Sequence, residues 1–218
     1  MGEEESLSQA AYRQLEEAIV TLKLKPGEAV TESRLTQDLK MGRTPIREAI
    51  QRLSWEGLVS IRPRLGIVIA DLHPGDFARV LDARHGLEIL LAGAAARLAS
   101  KEERTALEEC AGKMRDAASG QDVTAFYRLD KSFDGIVAGA SCNPFAAKAV
   151  APLQTLSRRF WFRYFADSDL DAAAWAHLEL MQAIAAGEEQ LAIMKAGELM
   201  QYLHRQAAAL IAGVDWAG

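Results

Sequence analysis

Residues Thr31–Ala70, TESRLTQDLKMGRTPIREAIQRLSWEGLVSIRPRLGIVIA, decide the fold of the first third of this chain. Thr31 is placed to cap a helix carrying Leu35 and Leu39 at i, i+4, and Lys40-Met41-Gly42 ends it with the glycine that short helix-helix turns favour. A second helix starts at once. Thr44-Pro45 puts proline in the first turn, where its missing N–H costs nothing, and Ile46, Ile50 and Leu53 supply the buried stripe until Gly57. Leu58-Val59-Ser60-Ile61 and Ile67-Val68-Ile69 are short β-branched runs around Arg62-Pro63-Arg64-Leu65-Gly66, which reads as a two-stranded hairpin. Helix, tight turn, helix and ribbon in this order predict a winged helix-turn-helix.

The second helix leaves Arg43, Thr44, Arg47 and Gln51 on its outer face. Arginine reads guanine bidentately, glutamine reads adenine, and threonine and backbone N–H groups at a helix start take phosphate, so this face suits entry into a DNA groove. Arg34 on the first helix and Arg62, Arg64 and Gly66 at the hairpin tip complete the candidate DNA contacts. Periodicity alone leaves open a charged helix end beside an ordinary surface hairpin. Charge distribution favours the reader: residues 31–69 hold seven cations against four anions, within a chain of net charge −5. Residues 71–218 hold 15 cations and 20 anions, so a locally basic element is carried on an acidic body.

The wording from Arg43 to Ile50, RTPIREAI, followed by Leu53 and Glu56-Gly57-Leu58-Val59, closely resembles the recognition-helix signature of the GntR superfamily of bacterial transcriptional regulators. The resemblance implies a dimeric repressor or activator on a short palindromic operator, with Arg43 and Arg47 on bases or phosphates, Thr44 on phosphate and Gly66 at the wing tip. One departure is that Lys40-Met41-Gly42 stands where the family usually has Gly-Val-Ser. The serine hydroxyl is lost, and Gly42 has only its backbone to offer.

Outward from this stretch, residues 1–6 read as an acidic tail and Ser8 to Leu24 as a supporting helix with Ala11, Leu15, Ile19 and Leu22 inside. Asp71-Leu72-His73-Pro74-Gly75 breaks the periodicity and reads as a linker between a domain at 1–70 and a second at 76–218. The second domain reads as six helices, about Asp76–Ala99, Lys101–Ala118, Asp122–Gly139, Asn143–Phe165, Asp169–Ala186 and Glu188–Ala212. The fold class is therefore mainly α, a winged helix-turn-helix plus an all-α six-helix bundle for effector binding and dimerisation. The two cysteines show no metal or disulfide spacing, the N-terminus is acidic where a leader would be basic and apolar, and no apolar run could cross a bilayer. A cytoplasmic protein is expected.

Polar residues interrupt the apolar faces of the bundle. Asp130 falls inside the arc of Phe126, Phe133 and Val137, with Asp134 at its margin. His177 shares a stripe with Ala174, Met181 and Ile184, and His204 borders Met200, Leu203 and Ala207. Two carboxylates and two imidazoles facing inward from three helices can converge as a metal site, although each histidine alone reads as a hydrogen-bonded core residue. Arg84-His85-Gly86-Leu87-Glu88, Asp130-Lys131-Ser132-Phe133-Asp134, Ser141-Cys142-Asn143-Pro144 and the late histidines together resemble the FadR-type ligand-binding domain called FCD. Six helices look like its shorter, VanR-type branch. The resemblance implies a divalent metal, Zn, Ni, Mn or Fe, on Asp130, Asp134, His177 and His204. It also implies that Arg84, oriented by Glu88, forks the carboxylate of a small effector. Asp134 stands where the family has histidine.

These readings predict a homodimeric, ligand-responsive regulator on double-stranded operator DNA, with no membrane partner. Three alternatives stay open: a metal-free polar pocket in place of the metal site, a metal-dependent enzyme using the Asp/Asp/His/His centre, and a DNA-binding scaffold with a sealed bundle.

Overall fold

The computed structural model describes residues 5–213, and the chain divides into two compact units, Met1–His73 and Pro74–Gly218. Residues 1–4 of the expected acidic tail lie outside the described residues, as do 214–218. Ser6, read as tail, instead opens the first helix. Its hydroxyl accepts from the Gln9 N–H and the Gln9 side chain accepts from the Ser6 N–H, a capping box that starts α1 at Leu7–Val20.

The helix ends at Val20, short of Leu24, because Leu22 turns left-handed (φ 60°), and Leu24 is buried beyond it. There follow β1 (Ala29–Val30), α2 (Glu32–Leu39), α3 (Arg43–Trp55), β2 (Val59–Arg62) and β3 (Gly66–Ile69). The hairpin is part of a three-stranded antiparallel sheet in the order β1-β3-β2, with Val30 opposite Ile67 and Arg62 opposite Gly66. The first strand is two residues long, too short for any alternation to be visible in the sequence. Leu15, Ile19, Leu35, Ile46, Ile50 and Leu53 pack beneath the sheet and helices as a buried core.

The turn between α2 and α3 works differently from the expectation. Gly42 is not the left-handed residue. Lys40 takes that role as the C-cap of α2 (φ 53°, ψ 38°), while Gly42 is extended and precedes α3 without any side-chain cap. A non-glycine residue in the left-handed region costs about 1–2 kcal/mol, partly offset in a glycine variant by the greater entropy of its unfolded chain. Lys40→Gly is therefore expected to stabilise the N-terminal unit by about 0.5 kcal/mol, read as a rise in the denaturant midpoint at constant slope. At the wing, glycine is required. Gly66 has φ 85°, and a Cβ there would meet the Val30 carbonyl oxygen at 3.1 Å.

The second unit is built of α4 (Pro74–Leu98), α5 (Lys101–Ser119), α6 (Val123–Ala140), α7 (Pro144–Tyr164), α8 (Leu170–Ala186) and α9 (Glu189–Gly213). α4 starts at Pro74, inside the expected linker, since proline is well tolerated in a first turn. Ser100 and Glu103 form a second capping box, Asn143 caps α7 ahead of Pro144, and Gly187 closes α8 in a left-handed turn. α4 runs along α9 and α7, and α5 along α8 and α6. Leu91, Leu107, Met114, Phe126, Met181 and Ile184 lie in the shared core. The aromatic run ending α7 joins that interior, with Phe160 stacked on Phe77 (5.0 Å between centroids) and Trp161 against Phe126 (4.9 Å).

One side chain with no sequence signature ties three helices together. Arg104 of α5 donates to the carbonyls of Ala96 and Ala99 at the end of α4, and of Ile184 and Ala185 at the end of α8, at 2.8–3.1 Å. A cation on two sets of C-terminal carbonyls adds a donor at helix ends, where backbone donors run out, and opposes both dipoles. Cys110 is buried and Cys142 exposed, both free thiols. Among the described residues no helix is long and apolar enough to cross a membrane.

Candidate functional site

Two sets of residues carry chemistry, one in each unit. In the first unit Arg43, Thr44, Arg47 and Gln51 are all exposed on α3, and Arg34, Arg62, Arg64 and Gly66 are exposed on α2 and the wing. The apolar period of α3 produces this arrangement: Ile46, Ala49, Ile50 and Leu53 are buried, which turns the remaining positions outward. α3 is held from behind by α1. Tyr12 donates to Glu56 (2.7 Å), Arg52 pairs with Glu56 (2.9 Å), and the Arg52 guanidinium lies 3.6 Å from the Tyr12 ring centroid.

The outward cations rest on surface partners. Arg47 Nε lies 2.8 Å from Glu32, and Arg34 lies 2.6 Å from Glu28 and 3.4 Å from Asp38. Exposed pairs of this kind contribute about 0–1 kcal/mol, so a phosphate or base edge can take either guanidinium at little cost. With Gly42 as N-cap, the first N–H groups of α3 receive no side-chain acceptor. Arg64 is left-handed (φ 69°) at the tip of the hairpin, where residues 63–65 join β2 to β3.

In the second unit a cavity of about 40 Å³ opens between α4, α6, α7, α8 and α9, room for a few waters, and its wall includes Arg84, Asp130, Arg158, His177 and Tyr202. Arg84 is buried. Its Nε and Nη2 donate to Glu88 Oε1 at 3.0 and 2.7 Å, and Gln154 Nε2 donates to the same oxygen at 3.0 Å.

Asp130, buried on α6, lies at the centre of a charge chain. Its Oδ1 faces His177 Nε2 at 3.0 Å, and its Oδ2 accepts from Arg158 Nε at 2.5 Å. Arg158 Nη2 also donates to Asp134. His177 Nδ1 lies 2.7 Å from the Ala173 carbonyl, so that both ring nitrogens meet acceptors. Burial opposes charge on this imidazole, but the Asp130 carboxylate outweighs burial and raises its pKa, favouring the imidazolium. Burial likewise opposes ionisation of Asp130, yet Arg158 and His177 hold it well below the usual carboxylate range. Asp134 goes the other way, pushed up to about 7 by burial and by the Asp130 and Glu88 charges, with Arg158 opposing.

The structure brings Asp130, Asp134 and His177 together but turns His204 elsewhere. His204 Nε2 lies 3.8 Å from Asp82, with its ring 6.2 Å from that of His85. A divalent ion needs lone pairs converging at about 2.0–2.2 Å. Both Oδ2 atoms here converge on a guanidinium, and the remaining Asp130 oxygen is taken by His177. Among the described residues no group of three or more His, Cys, Asp or Glu side chains is set to hold a metal ion. As arranged, the four residues do not fit the expected divalent metal.

Arg158 was missed by sequence reasoning because it sits inside an aromatic run that reads as core. Its signal was helical spacing, since Gln154, Arg158 and Trp161 recur at i, i+4, i+7 on the side of α7 that lines this centre.

Comparison with known proteins agrees with these two units. Residues 7–69 match the model of bacterial regulatory proteins of the gntR family, and residues 79–202 match the FCD domain. A transcriptional regulator of the HTH type from Agrobacterium vitis is 36% identical over 121 residues, covering 56% of this chain and 68% of its own length. Another, from an unstable DNA locus of Streptomyces ambofaciens, is 31% identical over 123 residues. That alignment covers 56% of this chain and spans about half, 51%, of the relative's length. The solved structure of E. coli McbR/YncC superimposes with a TM-score of 0.80 over 95% of this chain and 98% of its own, at 20% identity, a likeness of fold. The exposed cationic helix, the wing and the helical bundle thus have their family: the chain belongs to the GntR family of bacterial regulatory proteins and carries an FCD domain, like relatives that are HTH-type transcriptional regulators.

Proposed function

We propose that this regulator binds a palindromic operator as a homodimer through α3 and the wing, and that its bundle senses a small carboxylate. One recognition helix reads too few base pairs for useful selectivity, whereas two helices one turn apart match a two-fold site. The exposed set Arg43, Thr44, Arg47 and Gln51 supports the groove-entering role of α3, and Arg62 and Arg64 support backbone or minor-groove contact by the wing.

The carboxylate reading rests on one observation, the buried Arg84 guanidinium presented at a cavity wall by Glu88. A planar, pre-oriented guanidinium is the side chain best matched to a carboxylate. The cavity is small, so the effector has few heavy atoms or enters by displacing side chains that line it.

A thermal-shift screen of the full chain with small mono-, di- and hydroxycarboxylates tests this. A ligand at a hundredfold excess over its Kd is expected to stabilise by about 2.7 kcal/mol and to change the footprint on operator DNA. Arg84→Gln should abolish the shift while leaving operator binding intact. A screen in which no carboxylate moves the melting temperature would leave the bundle as a sealed scaffold and refute the sensing half.

A further inference from the structure

We infer that Arg158 is the resident cation of the bundle centre, occupying with its guanidinium the place that a divalent metal would need. Metal content is measured without DNA or effector, so this inference stands or falls separately from the function proposed above.

Its basis is the disposition of donors. Asp130 and Asp134 lie one turn apart on α6 and present their Oδ2 atoms to two nitrogens of one guanidinium, Nε and Nη2. A fork of this shape satisfies two carboxylates simultaneously and carries a fixed positive charge. An ion coordinated by the same two oxygens would lie within a few ångströms of that charge and overlap its N–H groups, so metal and Arg158 exclude each other.

His177 does not decide the matter. Its Nδ1 contact to the Ala173 carbonyl is the kind of bond that also orients a metal-bound imidazole. The choice lies with Arg158, which only α7 can deliver, and with Asp134. An aspartate at 134 gives the guanidinium a second carboxyl oxygen to donate to, whereas a histidine there would give it a neutral ring. The cation of this centre is thus supplied by the protein itself, and its effector need not be a chelator.

The test is the metal content of the full-length protein. After loading with Ni²⁺ or Zn²⁺ and removal of excess, the wild type is expected to retain well under ~0.1 ion per chain, and neither metal nor EDTA should move its melting temperature. Arg158→Gln, which keeps a polar side chain and removes the charge, is expected to take up about one ion per chain and to gain thermal stability from it. If circular dichroism shows that variant unfolded, Arg158→Met replaces it: the length of the side chain is kept, the guanidinium is gone from both carboxylates, and metal uptake is again expected. A wild type that holds one ion removable by EDTA overturns the inference, as does failure of the folded variant to take up metal.

Discussion

Replacing both Arg43 and Arg47 with alanine is expected to weaken specific operator binding by about a hundredfold or more, at roughly 1–3 kcal/mol for each contact to a base edge. The melting temperature should hardly change. Both residues are exposed, and the contact given for Arg47, its pair with Glu32, is a surface pair worth at most about 1 kcal/mol. The buried face of α3, Ile46, Ala49, Ile50 and Leu53, is untouched.

Footprinting on the chain's own operator, with a titration across salt concentrations, separates two roles. Loss of a phosphate contact lowers the salt slope by about one per contact and weakens all sequences alike, whereas loss of a base contact relaxes discrimination at one position. Wild-type affinity in the double variant would mean that α3 is not the reading element.

Asp130→Asn is expected to destabilise the second unit by about 3–5 kcal/mol, because removing one partner of a buried charge network leaves the others uncompensated. Arg158 would lose the carboxylate facing its Nε, and His177 would lose the carboxylate that favours its imidazolium. Asp134→Asn should cost far less, about 1 kcal/mol. Asp134, lifted to about 7, is already largely protonated below neutrality and forms one end of the chain, where Asp130 forms its centre.

The pH dependence follows from sign. A carboxyl held below its usual range contributes stability that is complete above the unfolded value near about 4 and fades as pH falls through the depressed folded value. The gap between wild type and Asp130→Asn should therefore close in acid. Equal losses for the two asparagine variants at pH 7, measured by thermal or denaturant melts, would refute the assignment of Asp130 as the hub.

Much of this molecule was legible in the chain. Helix periodicity, capping residues and turn glycines act within a few residues, so Thr31, Pro45, Ser100, Asn143 and Gly187 mark element boundaries close to where the structure has them. The same locality allowed the outer face of α3 to be read directly, since burying Ile46, Ile50 and Leu53 leaves Arg43, Arg47 and Gln51 outside. Local reading erred by a few residues at element ends: it closed α2 with Gly42, whereas the left-handed residue is Lys40, two positions earlier, and it placed the end of α1 and the start of α4 a few residues late.

What the sequence determined by itself is therefore the class of each unit, the approximate extent of its helices and which face of α3 points outward. All of these follow from interactions between residues at most a turn or two apart. The tertiary structure alone decided which polar side chains meet in the bundle. Arg158 reaches Asp130 and Asp134 across 28 and 24 positions, Arg104 reaches the end of α8 across 80, and His204 turns to Asp82 instead of joining His177. Packing sets the rotation of each helix about its axis, and a rotation of one residue, 100°, changes which charge faces the centre.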